Sequence, residues 1–552
     1  MYVVIEPSAD RRGLHLVDAD ERGHPTGERD VSWDAALEVL RDRDATGVRW
    51  VFAHTAELYP RLIDSGVRLG RSHDLALCRS ILRRSTETPD GGLSSLPADS
   101  WDAAWTSSGD DGSLTGFADL AEPGERPDAV AELQRQCEAV AASRAPSRLR
   151  RLLAAESCGA MIACEIRHDG LPWRRDVHER ILREALGPRP VFGGRPVVLE
   201  ELANGIRVAL GAPSLNPDSH TELLRALRAA SIPVDSTSKW ELQRHDHPAV
   251  EPLLRYKSLS RLMTANGWAW LDEWVRDGRF RPEYVVAGVV TGRWATDGGG
   301  ALQLPTQIRP AVIADDGWTF VIADAAQLEP RIVAAMASDT AMAAAGHGKD
   351  LYQGLVDAGT VDTRDHAKVA MLGALYGATT GESARLMPRL VRAYPRATGL
   401  VEAAARAGER GEQVTTWLGR SSPLPPDSWS AAVRAGAQVS ATPAQERAAR
   451  GAARDWGRFT RNFVAQGTAA EWALCWMAEL RHRLFSLVDG DQHPHLVYFL
   501  HDELVIHAPE QSADFVADAV RDAAEAAGRG LFGDFPIDFP LDVAVTRCYA
   551  DA

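Results

Sequence analysis

Along most of this chain the apolar positions recur with a helical period, and a few short β-branched runs stand out against that background as strands. An opening strand falls at 2–6 and another at 48–53, flanking the helical pattern from Trp33 to Leu40. From Thr86 to Pro127 the residues turn to Ser, Gly, Asp and Pro, the signature of a loop or linker. Ala-, Arg- and Leu-rich helical periodicity occupies Asp128 to Leu186, with further helix at 218–230 and 249–265. Strand signals return at 283–290 and 318–323, and residues 328–410 and 428–485 read as mostly helix, interrupted near 414–427. The chain closes with a strand pair around 496–508, a helix at 511–528 and a last strand near 541–547, and it has no internal repeat. Two β segments are thus separated by a long helical insertion, which must fold out as a lobe overhanging their sheet.

Both β segments carry acids where apolar residues stop. In Val497-Tyr-Phe-Leu-His-Asp-Glu-Leu-Val-Ile-His507, Asp502 and Glu503 sit between two strand-like runs, at the tip of a predicted hairpin. Trp318-Thr-Phe-Val-Ile-Ala-Asp324 ends on a third acid and leads into the helical pattern Leu328, Ile332, Val333, Met336. Carboxylates on rigid turns suit a divalent cation better than a core, so a meeting of Asp324 with Asp502 would build a cradle for metal-assisted phosphoryl transfer. Inside the insertion, Arg364, Lys368, Leu372 and Tyr376 recur every fourth residue and drift only about 40° per step, so they share one slowly winding stripe. Two cations one turn apart repel unless an anion faces them; a triphosphate is such an anion, and a solvated basic patch beside a core stripe is the alternative.

Composition sets the outer bounds. A chain of 552 residues holds three or four domains, and 45% hydrophobic with 25% charged residues is ordinary for a soluble protein. No apolar run approaches the roughly 20 residues that span a bilayer, and the start lacks the pattern of a signal peptide. Six cysteines without Cys-x-x-Cys spacing indicate neither a disulfide framework nor zinc, so a cytoplasmic protein is expected. A formal charge of -15 argues against an all-basic surface, yet Arg255, Lys257 and Arg261, then Arg276, Arg279 and Arg281, then Arg293 and Arg309 form local clusters. These are either a track for nucleic acid on an acidic body or solvated helix faces.

The order of motifs resembles the family A DNA polymerases, the DNA polymerase I type. Asp324-Ala-Ala-Gln-Leu-Glu-Pro-Arg331 is similar to the family's first motif, Arg364 through Gly377 to its second, and His501-Asp-Glu503 to its third. Leu215-Asn-Pro-Asp-Ser219, Thr291-Gly-Arg293, Leu302-Gln-Leu-Pro305 and Gln466-Gly-Thr-Ala-Ala470 add lesser matches in the expected order. Within the family the chain resembles the actinobacterial bifunctional 3′–5′ exonuclease/polymerases. The resemblance implies an α/β (α+β) chain with the right-hand architecture: thumb at 145–279, palm at 280–340 and 485–552, and fingers with the return to the palm at 341–484. Residues 1–140 are similar to a ribonuclease-H-like 3′–5′ exonuclease domain followed by the Gly/Ser-rich linker.

The same resemblance implies roles. Asp324 and Asp502 would bind two Mg2+ ions, with Mn2+ as a substitute, and Glu503 would be the accessory carboxylate. Arg364 and Lys368 would grip the triphosphate, Lys368 within the catalytic set, while Gln327, Leu372, Tyr376 and His501 line the nucleotide and Glu329 excludes a 2′-hydroxyl. Arg261, Arg293, Gln303, Arg458, Asn462 and Gln466 would hold primer-template DNA. The expected enzyme is a monomeric DNA-directed DNA polymerase of the bacterial cytoplasm, nucleoid-associated, with no membrane contact, using deoxynucleoside triphosphates in repair or gap filling.

Several positions depart from the family. Leu372 replaces an aromatic ring, Ala325 and Ala326 replace Tyr and Ser, and Pro330 enters the first turn of a helix, where proline is tolerated. In the N-terminal domain the opening strand offers Ile5-Glu6-Pro7 where Asp-x-Glu belongs, His54 stands for Asn, and Leu58 falls where a metal Asp should be. Loss of proofreading is expected. Two alternatives stay open: an active exonuclease with Glu6 or Asp74 as stand-in ligands, and a non-catalytic DNA-binding scaffold.

Overall fold

A computed structural model describes residues 1–10, 12–89, 91–97, 99, 101–102, 128–191, 193–377, 381–485 and 493–552, without the side chains of Gln303, Gly381 and Glu382. Most of the linker expected at 86–127 lies outside the described residues. The chain divides into two compact units, one of Met1–Asp169, Glu283–Asp297 and Gly317–Val545, the other of Gly170–Pro282, Gly298–Asp316 and Thr546–Ala552.

The first unit begins with a five-stranded sheet of β1 (Tyr2–Pro7), β2 (Gly13–Ala19), β3 (Pro25–Ser32), β4 (Arg49–Phe52) and β5 (Ser72–Asp74), ordered β3-β2-β1-β4-β5. The first three strands form an antiparallel meander, whereas β4 runs parallel to β1 and β5 parallel to β4. Val3, Ile5, Trp50 and Phe52 pack with Leu40 of α1 (Trp33–Asp44) and Leu58 and Leu62 of α2 (Thr55–Asp64). Val4 and Val51 face the other way, onto Leu75 of α3 (Leu75–Arg84) and Leu133 of α4 (Ala129–Ala141). Both faces are covered, so the central strands read as continuous apolar runs. Only two of the five strands were legible in the pattern: β3 is Pro-Thr-Gly-Glu-Arg-Asp-Val-Ser, almost wholly exposed, and β5 is three residues long.

The second sheet of this unit is ordered β12-β13-β11-β14, from β11 (Trp318–Ala325), β12 (His495–Leu500), β13 (Glu503–Pro509) and β14 (Leu541–Thr546). Its buried face, with Val321, Ala323, Leu504 and Ile506, meets Trp472, Trp476 and Leu480 of α19 (Pro443–Phe485) and Val516, Val520 and Ala523 of α20 (Ala513–Phe532). Helix α5 (Pro146–Asp169) joins the same core, and its approach is so close that a Cβ on Gly159 would lie 2.9 Å from Leu474 Cδ2.

Between β11 and α19 the expected helical stretch is broken into α12 (Leu328–Met336), α13 (Thr340–Gly346), α14 (Leu351–Asp357), α15 (Arg364–Tyr376), α16 (Gly381–Ala393), α17 (Pro395–Glu409) and α18 (Asp427–Gly436). Side-chain caps set three of the starts: Asp339 accepts from Met342 N, Asp350 from Gln353 N, and Thr363 from His366 N. The strand expected at 283–290 shrinks to β9 (Tyr284–Val285), paired with β10 (Ala295–Thr296).

A buried ion pair fastens the N-terminal sheet domain to the rest of this unit. Arg481 of α19 donates to both oxygens of Glu165 on α5, at 2.8 and 2.7 Å, and to the Leu69 and Gly70 carbonyls at 2.6 and 3.1 Å. Tyr59 of α2 donates its hydroxyl to Glu165 at 2.6 Å.

The described residues of the second unit include the α-helices α6 (Arg175–Leu186), α7 (Val197–Ala209), α8 (His220–Ala229), α9 (Lys239–Leu242), α10 (Val250–Asn266) and α11 (Trp268–Trp274). Its small sheet, ordered β6-β8-β7, is built from β6 (Leu171–Pro172), β7 (Val275–Arg276) and β8 (Arg279–Phe280). Trp173, Trp270 and Phe280 stack around it with ring centroids 5.1–5.7 Å apart. Among the described residues no helix is long and apolar enough to cross a membrane.

Candidate active site

Antiparallel pairing of β11 with β13 brings the three acids of the sequence together. The register runs from Trp318 opposite Pro509 to Asp324 opposite Glu503, and Ala325 N donates to the Asp502 carbonyl at 3.0 Å. Asp324 is exposed between the buried Ala323 and Ala325, which follows from the strand's period of two. The β12–β13 connection is tight: Leu500 pairs with Glu503, Asp502 N donates to the Leu500 carbonyl at 2.7 Å, and His501 between them has φ 59°. A non-glycine residue in that region is uncommon, and the turn it permits fixes where Asp502 projects.

Burial pushes the Asp502 carboxyl above its usual range, and Glu329 and Glu503 add to the rise while Arg293 opposes it. Burial likewise pulls the His501 imidazole below its usual value, helped by Arg293. The site is therefore short of positive charge. Hard oxygen donors on two strand ends are of the kind that suits a divalent cation. Among the described residues no group of three His, Cys, Asp or Glu side chains is placed to hold a metal ion.

Glu329, in the first turn of α12, accepts hydrogen bonds from the Arg293 guanidinium and from the Tyr376 hydroxyl. Burial, and next the bond to Glu329, push the Tyr376 phenol up to about 12. Three elements far apart in sequence thus meet at one carboxylate: the β9–β10 segment, the start of α12 and the end of α15. Gly377 closes α15 in the left-handed region at φ 70°, and a Cβ there would come within 3.1 Å of Arg458 Cγ. Gln466 stands beside Tyr376, and Arg458, Asn462 and Gln466 follow one another at intervals of four along α19, on one face. The Asn462 Oδ1 is buried without a hydrogen-bond partner among the described residues, and Arg458 pairs with Asp455.

The α15 stripe forms as the spacing predicts. Arg364 and Lys368 are exposed, Leu372 and Tyr376 half-buried. Lys368 has no ion pair among the described residues, whereas Arg364 donates through Nη2 and Nε to Asp350 Oδ2 at 2.8 and 3.3 Å. Gln327 has φ 50° and faces the start of α14, donating to Asp350 Oδ2 at 3.1 Å and accepting from Leu351 N at 3.1 Å. The sequence reading missed Asp350 and Tyr352, whose ring lies 5.7 Å from the Arg364 guanidinium carbon. Asp350-Leu-Tyr-Gln353 carries a capping-box spacing that announces the helix start, and so could have flagged Asp350. Arg261 lies exposed on α10 in the second unit, and the Gln303 side chain lies outside the described residues.

DNA polymerase family A matches residues 228–549 of this chain. A thermostable DNA polymerase I of Thermus filiformis is 27% identical over 55% of the chain and 36% of its own length. The DNA polymerase I of Chloroflexus aurantiacus is 26% identical over 67% of the chain and 38% of its own length. The chain therefore spans well under half the length of these relatives. The POL domain of Pol1 from M. smegmatis, solved in complex with DNA primer-template and dNTP, superposes with a TM-score of 0.67 at 18% identity, covering 100% of this chain and 96% of that one.

Proposed function

The chain belongs to DNA polymerase family A, and from that premise we propose that it extends a primer 3′ end with deoxynucleotides on a DNA template. The observation that carries the reading is the β11–β13 register, which sets Asp324 against Glu503 with Asp502 alongside. In the reaction the primer hydroxyl attacks the α-phosphorus, the α–β bond breaks, and pyrophosphate leaves. Two divalent cations, Mg2+ with Mn2+ as a substitute, would supply the positive charge that makes the hydroxyl nucleophilic and neutralises the leaving group. Asp324 and Asp502 are the side chains to hold them, with Glu503 as accessory. Arg364 and Lys368 bind the β- and γ-phosphates, and Gln327, Leu372, Tyr376 and His501 surround the nucleotide. Residues 280–340 and 485–552 serve as palm, 341–484 as fingers and 145–279 as thumb. Arg261, Arg293, Gln303, Arg458, Asn462 and Gln466 position the duplex. The protein acts as a monomer in gap filling or repair.

Glu329 has the place and the charge of a sugar selector. Its carboxylate is held in place by two donors that already occupy its oxygens, so a 2′-hydroxyl would run into a side chain that cannot move aside. Glu329→Ala is expected to raise rNTP incorporation relative to dNTP by about 10- to 100-fold, since one lost discriminating contact is worth roughly 1–3 kcal/mol. Primer extension with each nucleotide measures this ratio, and an unchanged ratio removes Glu329 from the role.

The N-terminal sheet suits a ribonuclease-H-like shell that has lost its chemistry. Asp74, the stand-in ligand of an active exonuclease, is buried and accepts from Thr55 N at 2.8 Å and Leu77 N at 3.0 Å, one bond to each oxygen. Leu58, where another acid is required, is in the core. A labelled, mismatched primer incubated with Mg2+ and no nucleotide should stay full length, in wild type and in Asp324→Ala alike. Shortening of that primer in both proteins restores the proofreading alternative.

A further inference from the structure

The Arg364 phosphate grip is already occupied by a carboxylate of the protein itself. We propose that Asp350 is a positioning and selectivity residue: it holds Arg364 until a polyphosphate displaces it, so that triphosphates are favoured over less charged nucleotides. This rests on the proposed role of Arg364 in binding the triphosphate.

The geometry makes Asp350 the fixed partner and Arg364 the movable one. Asp350 Oδ1 caps α14 by accepting from Gln353 N at 2.8 Å, while Oδ2 also takes the Gln327 amide at 3.1 Å. The residue before it is pinned as well, because the buried Arg331 donates to the Lys349 carbonyl at 2.8 Å and to the Gly346 carbonyl at 3.0 Å. Gln327 in turn sits only three residues beyond Asp324, at the left-handed turn into α12. Arg364 is a long, half-exposed side chain that reaches this anchored oxygen with its Nε–Nη2 edge. That is the edge a phosphate takes in a bidentate contact. Lys368, one turn further along α15, has no such acid among the described residues. One of the two phosphate cations is therefore open and the other guarded.

The guard has to be weak to be useful. A half-exposed Arg–carboxylate pair contributes little net stability, so a ligand carrying several negative charges exchanges it readily. A ligand whose phosphates reach only Lys368 leaves the Arg364–Asp350 pair intact and gains nothing from Arg364. Selection by phosphate number follows from the competition, without a contact to the base.

Single-nucleotide primer extension by the full chain tests this in wild type, Asp350→Asn, Arg364→Ala and the double variant. Asn keeps the helix cap, and Asp350→Ser serves as a second uncharged cap should Asn disturb folding. Asp350→Asn is expected to lower KM for dNTP roughly two- to five-fold, with the change in KM rather than kcat. Inhibition by the matching deoxynucleoside diphosphate should strengthen by at least the same factor. In the Arg364→Ala background Asp350→Asn should leave KM where it was. A KM that is unchanged or raised in both uncharged variants overturns the proposal, as does an equal fall in the Arg364→Ala background. If Arg364→Ala itself leaves KM at the wild-type value, the phosphate role of Arg364 fails, and the proposal with it, whatever Asp350→Asn does.

Discussion

Asp502→Asn is expected to abolish nucleotide incorporation, a loss of at least about 10³-fold, while the protein stays folded. The change is nearly isosteric and leaves the hairpin intact, because the bonds that shape it, Asp502 N to the Leu500 carbonyl and Ala325 N to the Asp502 carbonyl, are made by the backbone. What disappears is one negative charge from a cluster that already holds Glu503 and Glu329 nearby. Bound cations contribute several kcal/mol of transition-state stabilisation, and each 1.36 kcal/mol is a factor of ten. The same substitution should leave stability unchanged or slightly improved, since it relieves a half-buried carboxylate that its neighbours disfavour. Single-turnover extension with Mg2+ reads the first effect and thermal unfolding the second. Incorporation within tenfold of wild type would defeat the two-carboxylate mechanism, and inactivity together with a collapsed melting temperature would mean that the side chain serves the fold.

How far this site could be read from sequence depended on whether its parts are local. The β11 run, the α15 stripe and the hairpin carrying Asp502 each announce themselves within a dozen residues, through period and β-branching. The meeting of β11 with the Asp502 hairpin appears in the structure as a strand register, and α15 reaches the start of α12 through the Tyr376–Glu329 bond. The fragmentation of 328–410 was partly legible too, because Asp339, Asp350 and Thr363 are capping residues at the helix starts. Strands β3 and β5 were lost for different reasons: β3 is polar because it is an exposed edge, and β5 is too short to show a period. Pairwise partnerships were out of reach. Nothing local ties Arg364 to Asp350 fourteen positions earlier, or Arg293 to Glu329 across thirty-six. Such pairs are fixed by tertiary placement, and they decide which charged groups stand ready for a substrate.

The longest of these partnerships gives the second large effect. Arg481→Met should destabilise the first unit by about 3–5 kcal/mol, because it strands Glu165 as an uncompensated charge in the core. Glu165 and Arg481 are 316 positions apart, and both are buried. Burial alone would raise the Glu165 carboxyl; the Arg481 charge and its hydrogen bonds outweigh that and hold it below its ordinary 4.5. A depressed carboxyl stabilises the fold fully above that value, and the contribution fades as pH falls below it. In wild type, urea stability should therefore decline on acidification below about pH 4.5, and Glu165→Met with Arg481→Met together should recover most of what Arg481→Met loses and flatten that limb. Tyr59→Phe should cost about 1.5–3 kcal/mol, the worth of one hydrogen bond to a charged group. The network joins α2 of the N-terminal sheet domain to α5 and α19, the helix that also carries Arg458, Asn462 and Gln466. The N-terminal sheet domain supplies the Tyr59 hydroxyl and the Leu69 and Gly70 carbonyls to this pair, so its packing is part of what holds α5 and α19 together. An Arg481→Met protein as stable as wild type in urea would remove that role.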